Sequence, residues 1–138
     1  MDPDLQAALT YRFVQFTEWK NSHRPMYCVA GDKDVFIALQ KLVSENNDIK
    51  LINKSTQAKA CDVLFMGRQI DLNQGWQQPL SNIRLLTIAA NSEIFNQGAI
   101  FGLIVEPKQI AFRVNLTIAK ERGYRLNARM LKLAKEIH

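Results

Sequence analysis

Residues 61–66 (CDVLFM) are the stretch of sequence that decides the fold. Apart from Asp62, every residue in this stretch is apolar, and such a run predicts a short strand that is covered on both faces. A second run, residues 26–30 (MYCVA), has the same character and is followed by the turn residues Gly31 and Asp32. Two strands of this kind, separated by a segment with helical periodicity, indicate an α/β domain.

Helical spacing of apolar residues flanks these two runs. Residues 3–20 are predicted to form the first helix, with Pro3 in its first turn and Asp2 as its cap. Residues 35–43 are predicted to form the second helix. Two further short strands are predicted at residues 49–53 and 84–89.

The last third of the chain has a different pattern. Apolar runs at residues 100–105 and 109–114 predict an antiparallel hairpin. Two helices are predicted to follow, one over residues 116–122 and one from a cap at Asn127 to the C-terminus. Residues 1–138 are therefore expected to form a single α/β domain, a mixed sheet with a parallel core and an antiparallel C-terminal hairpin, flanked by helices on both faces.

Positive charge is concentrated near the C-terminus. Residues 108–138 carry eight Lys and Arg against two Glu, a formal net charge of +6, whereas residues 1–107 carry −1. A basic segment of this kind suits an acidic partner surface. It also suits a solvated helix face whose cations lie near a helix C-terminus, so both interpretations stay open. No apolar run approaches the roughly 20 residues that a membrane-spanning helix needs.

The sequence carries no pattern that is typical of an active site. Its two histidines and two cysteines lack the spacing of a zinc site. Phosphate-binding glycine motifs and the nucleophile elbow of hydrolases are missing. Few aromatic residues accompany the C-terminal cations, which disfavours nucleic-acid binding. We therefore expect no enzymatic activity, no cofactor, no bound metal and no nucleic-acid partner.

The only two cysteines, Cys28 and Cys61, lie in the two apolar runs that open this description. As free thiols they are small hydrophobic residues in the core of a cytosolic protein. As a disulfide they indicate an oxidising compartment. The residues alone leave both interpretations open.

Two further features indicate contact sites. Gly31 and Asp32 lie at a strand-to-helix turn, where a helix N-terminus can face an anion, although the backbone needs such a turn in any case. Trp76, Ile94 and Phe95 lie among polar residues, so their side chains are candidates for exposed anchors of a protein partner. Trp76 can instead fold back over the edge of the sheet.

Several short motifs follow one another along the chain. They are FxxFxxW at residues 13–19, YCVAG at 27–31, CDVLF at 61–65, LTI at 86–88, FNQGAI at 95–100, FRVNL at 112–116 and LKLA at 131–134. Together these motifs, which span about residues 9–137, resemble the YfiR-like family of periplasmic repressors. Some relatives carry a second cysteine pair in the C-terminal third, which this chain lacks.

The resemblance implies a regulatory function. Members of the family bind the periplasmic sensor domain of an inner-membrane diguanylate cyclase and repress it, which restrains cyclic-di-GMP signalling and biofilm formation. An outer-membrane lipoprotein can sequester such a repressor, and many members are homodimers. The first residues lack the basic and apolar regions of a secretory signal, so the periplasm is implied by the resemblance alone. The alternative function is an extracytoplasmic small-molecule sensor domain of a signalling system, with its ligand near Gly31 and Asp32.

For the cysteines, the resemblance implies a disulfide between Cys28 and Cys61. In a doubly wound sheet the first and third strands are neighbours, which would place the two residues within reach of such a bond. Two reduced thiols in the core are the alternative. The residues expected to contact a protein partner are Trp76, Ile94, Phe95, Arg125 and Arg129.

Overall fold

The computed structural model describes residues 2–19, 24–43, 48–82 and 84–138. Its helices are α1 (Pro3–Gln15), α2 (Lys33–Gln40), α3 (Gln77–Leu80), α4 (Ser92–Asn96), α5 (Leu116–Glu121) and α6 (Ala128–Leu133), with 3₁₀ helices at Ser55–Ala60 and Leu72–Gln74. Its strands are β1 (Thr17–Glu18), β2 (Tyr27–Ala30), β3 (Ile49–Ile52), β4 (Val63–Met66), β5 (Leu86–Ala89), β6 (Phe101–Val105), β7 (Ile110–Val114), β8 (Arg125–Leu126) and β9 (Glu136–Ile137).

One mixed sheet runs through the described part of the chain, with the strand order β3-β2-β4-β5-β6-β7-β9. The first five of these strands are parallel to their neighbours, whereas β6 and β7 form an antiparallel hairpin. β9 pairs in parallel with β7, and β1 and β8 form a separate antiparallel pair. The predicted fold class is confirmed, and β2 lies beside β4 as the doubly wound order requires.

The parallel strands supply side chains alternately to two hydrophobic layers. In β2, Tyr27 and Val29 belong to one layer, and Cys28 and Ala30 belong to the other. Residues of α1, α2, α5 and α6 complete the first layer, and residues of α3, α4 and the first 3₁₀ helix complete the second. Because both faces of the sheet are covered, apolar residues stabilise every position of a central strand, which explains the continuous apolar run of β4.

Two element ends differ from the prediction. α1 ends at Gln15, not at residue 20, because the chain then enters β1 and pairs with β8. The last predicted helix is shorter as well: α6 ends at Leu133, and the chain forms β9 at the edge of the sheet. Strands of two residues carry no periodic signal, and their partners lie far away along the chain.

Candidate functional site

A disulfide joins Cys28 in β2 to Cys61, two residues before β4. The two Cα atoms are 5.9 Å apart, and both side chains are buried. β2 and β4 are neighbours in the sheet, with Tyr27 opposite Val63. The pairing implied by the resemblance therefore agrees with the structure, and the bond connects the two central strands that the apolar runs predicted.

The three apolar side chains that were expected to be exposed are buried. Trp76 is 5% exposed, Ile94 2% and Phe95 3%, and all three belong to the same hydrophobic layer as the disulfide. Asn91 caps α4 by accepting a hydrogen bond from the backbone N–H of Ile94. The predicted exposure is therefore wrong, because a short capped helix turns Ile94 and Phe95 inward. For Trp76, the alternative that it folds back onto the sheet fits the structure.

Gly31 and Asp32 line a polar cavity of about 450 Å³ outside the carboxyl ends of β2 and β4. Gly31 has a φ of +74°, which favours glycine. The backbone segments approach each other closely here, since a Cβ atom at Gly67 would lie 2.5 Å from the carbonyl oxygen of Gly31. The two glycines thus allow the turns that follow β2 and β4 to meet at one point of the sheet edge.

Charged groups of both signs line this cavity. Lys33 and Arg68 are cationic, and Asp32 and Asp34 are anionic. Asp32 also caps α2, because its side chain accepts a hydrogen bond from the N–H of Val35. The backbone N–H groups of Lys33 and Asp34 form no hydrogen bond with any described residue. Two donors at the start of α2 are therefore available for a ligand.

Gln6 of α1 also lines the cavity, although its side chain is only 1% exposed. Its Oε1 oxygen is buried and has no hydrogen-bond partner within the described residues. A buried acceptor without a partner costs about 1–3 kcal/mol. Because most buried polar atoms in folded proteins are paired, this unpaired oxygen is an exception among the described residues.

A different candidate site lies at the far edge of the sheet. We define the α6–β9 surface as Arg129, Leu133 and Ile137. Leu133 is 70% exposed and Ile137 is 51% exposed, while Arg129 and Leu133 are four residues apart on one face of α6. β9 is the outermost strand and pairs only with β7 among the described strands. Exposed apolar side chains beside an unpaired strand edge are typical of a protein-binding surface.

The two basic residues predicted to contact a partner are both exposed. Arg125 lies in β8, opposite Glu18 of β1. Arg129 lies in the first turn of α6 and therefore belongs to the α6–β9 surface. The two residues thus lie on different elements, and their contact with a partner stays a prediction.

Arg122, which the sequence did not single out, has a structural role. At the C-terminal end of α5, its guanidinium group donates hydrogen bonds to the backbone carbonyls of Leu80, Leu85 and Gly98. Burial lowers the pKa of Arg122. These carbonyls lie 24 to 42 residues away in sequence, so no local signal could have revealed the contacts.

The pairing of β9 is expected to depend on pH. Glu136 accepts a hydrogen bond from Nε of Arg113 at 3.0 Å, and this bond is the main cause that lowers the pKa of Glu136. A carboxyl group with a lowered pKa in the folded state stabilises the fold above its unfolded pKa, and this contribution is lost as the pH falls through the folded value. We therefore expect amide-exchange protection of β9 to decrease as the pH falls below 4.5, the ordinary value for Glu.

Two variants check the source of this pH dependence. Glu136→Gln is expected to reduce the acid step in the exchange protection of β9, because its side chain no longer titrates, whereas Glu106, whose pKa is also lowered by hydrogen bonds from Gln109 and Lys135, still does. Glu121→Gln, at an exposed position of α5, is the matched control and should leave the step unchanged. An undiminished acid step in Glu136→Gln would exclude Glu136 as the responsible group.

The fold and these two surfaces define a class of protein. The structure is a doubly wound α/β domain with a polar cavity at the edge of its sheet and an exposed apolar surface at β9. Among the described residues, no helix is long and apolar enough to cross a bilayer. No group of three or more His, Cys, Asp or Glu in that part of the chain is placed to hold a metal ion. The class that the fold itself defines is a doubly wound α/β domain.

Comparison with known proteins gives the family. The sequence matches the DUF4154 family, described as YfiR/HmsC-like, over residues 3–135. The chain therefore belongs to the YfiR/HmsC-like family, whose members are periplasmic and regulatory rather than catalytic. A search of curated proteins found no matching relative.

Two solved structures share the fold. One is described as an ABC domain in complex with L-Trp from Streptococcus pneumonia; it covers 99% of this chain with a TM-score of 0.71 and 9% identity. The other is a conserved domain protein from Vibrio cholerae O1 biovar eltor, which also covers 99% of this chain, with a TM-score of 0.61 and 14% identity. This chain spans 60% of the length of each. At such identities the likeness shows the fold alone.

Proposed function

We propose that this protein is a periplasmic regulator that binds the sensor domain of an inner-membrane diguanylate cyclase and represses it, thereby limiting cyclic-di-GMP signalling and biofilm formation. Membership of the family supports the regulatory role and the compartment. The Cys28–Cys61 disulfide is consistent with an oxidising compartment. The observation that carries the binding function is the α6–β9 surface, where Leu133 is 70% exposed three residues before the edge strand β9.

The proposed mechanism is stoichiometric. A regulator that binds the inactive conformation of a cyclase more tightly than the active one shifts the population toward the inactive state. A preference of roughly 100-fold, or about 2.7 kcal/mol, is sufficient to reduce the output strongly. Apolar contacts of Leu133 and Ile137 would supply affinity. The basic C-terminal segment would favour encounter with an acidic partner surface.

The residues proposed to contact the partner are those whose side chains are exposed to solvent. Arg129, with Leu133 and Ile137, forms the centre of the interface, and Arg125 extends it. Trp76, Ile94 and Phe95 are buried and so are not proposed as direct contacts. The proposal also includes a homodimer and a periplasm-facing outer-membrane lipoprotein that can sequester the regulator, both of which the family resemblance implies.

Replacing Leu133 by aspartate is expected to weaken cyclase binding by about tenfold or more, because a charge would enter the apolar centre of the interface. Leu133 is 70% exposed, so the substitution leaves the fold intact. The matched control is Leu51→Asp, since Leu51 is 43% exposed on β3 at the opposite edge of the sheet. The tagged protein is used to co-purify partners from detergent-solubilised periplasmic and membrane fractions.

The outcomes of this experiment are distinct. Wild type and Leu51→Asp are expected to recover a diguanylate cyclase, and Leu133→Asp is expected to recover little. Equal recovery by all three proteins would reject the α6–β9 surface as the interface. Recovery of no cyclase by the wild type would count against the proposed function itself.

A second candidate function is an extracytoplasmic small-molecule sensor domain of a signalling system. The polar cavity at Gly31 and Asp32 favours it. Thermal unfolding in the presence of metabolites tests this candidate. A large rise in Tm at modest ligand concentration would support it, and no response to any metabolite would reject it.

A further inference from the structure

We propose that the projecting end of the β6–β7 hairpin, together with the end of α6, docks on an anionic phospholipid bilayer. The contact is made by Val105, Lys108, Lys132 and Lys135, which we call the basic tip. This inference goes beyond the proposed function, because its partner is a lipid surface and its residues are not those assigned to the cyclase interface. Bilayer binding and cyclase binding can therefore be tested independently.

The hairpin extends beyond both of its neighbours in the sheet. β5 pairs with β6 only up to Gly102, and β9 pairs with β7 only at Arg113 and Val114. Gly102 lies opposite Arg113, so both neighbouring strands stop at the same pair of the hairpin. Three further pairs, which end at Val105 and Ile110, continue past that point. At about 3.4 Å per residue, the two-stranded ribbon projects roughly 10 Å further before it turns.

The end of α6 lies beside this projecting ribbon. Lys135, two residues after α6, forms an ion pair with Glu106 of the hairpin turn, and its backbone N–H donates a hydrogen bond to the carbonyl of Phe112. Leu103 of β6 belongs to the first hydrophobic layer, which α6 also covers. Because side chains alternate along a strand, Val105 lies on the same face of the sheet as Leu103. The hairpin end and the end of α6 therefore meet at one corner of the molecule.

Positive charge dominates this corner. In residues 104–110 and 130–135, three lysines face a single acidic side chain, Glu106, which is already bonded to Lys135. Lys108 and Lys132 are exposed, and neither forms an ion pair with a residue that the structure describes. Two ammonium groups are thus available for the headgroups of anionic lipids.

Val105 gives the basic tip an apolar contact, since its side chain is 49% exposed. Lysines around an exposed aliphatic residue suit the interfacial region of a bilayer, where their stems stay in apolar surroundings while the ammonium groups reach the headgroups. A stable protein interface commonly needs about 800 Å² from each partner, which four side chains on a projecting tip do not provide. A planar lipid surface, in contrast, can be contacted by a tip alone.

Co-sedimentation of the full chain with lipid vesicles tests the proposal. The anionic vesicles contain phosphatidylcholine with about 30% phosphatidylglycerol, and the neutral control vesicles contain phosphatidylcholine alone. We expect the protein to partition onto the anionic vesicles at low ionic strength and to stay in solution with the neutral ones. Raising the salt concentration from about 20 mM to about 500 mM should release the protein, because salt screens exposed charges.

A double charge reversal assigns the surface. Lys108→Glu/Lys132→Glu is expected to weaken partitioning by about 25-fold or more, since each basic residue near an anionic membrane strengthens it by roughly fivefold. Lys50→Glu/Lys59→Glu is the matched control, because it changes the net charge equally but lies on β3 and the first 3₁₀ helix. It should partition nearly as the wild type does. All four lysines are exposed, so both variants should keep the fold, which circular dichroism verifies.

A second variant tests the apolar contact. Val105→Thr keeps the β-branched shape and replaces a methyl group by a hydroxyl group, so partitioning should weaken by about threefold. The matched control is Leu51→Thr, because Leu51 is 43% exposed on the edge strand β3, and its partitioning should not change.

The outcomes that would overturn the proposal are specific. An equal loss of partitioning in the two double variants would reject the basic tip, because net charge alone would then explain the binding. Unchanged partitioning of Lys108→Glu/Lys132→Glu would reject it as well. No partitioning onto anionic vesicles, or equal partitioning onto neutral ones, would reject an anionic bilayer as the partner. Recovery of a cyclase from detergent extracts involves no bilayer, so the proposed function is judged separately.

Discussion

Reduction of the Cys28–Cys61 disulfide is expected to lower the free energy of unfolding by about 3–4 kcal/mol. The bond closes a loop of 33 residues, and in the chain-entropy model its loss mainly increases the conformational freedom of the unfolded chain. Small domains are stable by only about 5–15 kcal/mol. The loss is therefore a large share of the total, and Tm should fall by roughly 10–15 °C.

The measurement compares urea and thermal unfolding with and without dithiothreitol. The variant Cys28→Ala/Cys61→Ala is the matched control: it should show the lowered stability without reductant and no further response when reductant is added. Because both side chains are buried, the variant also loses some packing, so its stability should lie slightly below that of the reduced wild type.

Free-thiol counting separates this prediction from its alternative. The denatured but unreduced protein should expose no reactive thiol, since both cysteines are in the bond. Two reactive thiols under these conditions would mean that the cysteines are reduced in the preparation. A Tm that reductant leaves unchanged would mean that the bond contributes little to stability.

The parallel core could be predicted from the sequence because burial on both faces leaves a direct mark on it. β2 and β4 consist of apolar residues throughout, and the structure buries every one of them. β1, β8 and β9 could not be predicted, since each contains two residues and is held by a partner that is distant in sequence. Pairing of that kind depends on tertiary structure rather than on local periodicity.

The sequence predicts some of the residues that line the candidate cavity but not the others. Gly31 and Asp32 mark a strand-to-helix turn that local sequence reveals. Gln6 and Arg68 come from α1 and from the loop after β4, and only the folded chain brings them to the same cavity. Gln6 in particular carries no signal, because a glutamine in an amphipathic helix is ordinarily exposed.

Trp76, Ile94 and Phe95 are the side chains for which the sequence gives the wrong burial. Trp76, Ile94 and Phe95 have polar neighbours, which suggested exposure, but local composition does not report which way a short helix turns. Asn91 caps α4 by accepting a hydrogen bond from the backbone N–H of Ile94, and an asparagine is a favoured helix cap that could have revealed this helix. A helix one or two turns long beside a sheet buries one face, so the apolar pair Ile94 and Phe95 fits the inward face.

The two proposed binding surfaces are far enough apart to be tested separately. Three strands, β5, β6 and β7, lie between β4 at the cavity and β9 at the edge. At about 4.8 Å per strand, this separation is roughly 20 Å. Substitutions at such distances usually have additive effects. Arg68→Ala should therefore leave cyclase binding intact, and Leu133→Asp should leave ligand binding intact.

Replacing Arg122 by methionine is expected to lower the free energy of unfolding by about 2–4 kcal/mol. The guanidinium group donates to the carbonyl of Leu85 at 2.9 Å, to that of Leu80, and at 3.5 Å to that of Gly98. Methionine keeps the apolar stem but supplies no donor, so three backbone acceptors lose their partner. Such unpaired acceptors account for most of the expected loss.

Two further variants distinguish hydrogen bonding from charge. Arg122→Lys keeps the positive charge but not the planar fork of donors, and an intermediate loss is expected because a single ammonium nitrogen does not reproduce the positions of the two guanidinium nitrogens that contact the carbonyls. Arg125→Met, three residues further along the chain at an exposed position of β8, removes an equal charge and should change stability by less than about 0.5 kcal/mol. Urea unfolding gives all three values. If Arg122→Met and Arg125→Met prove equally mild, the contacts of Arg122 do not hold the ends of α3, β5 and β6 together.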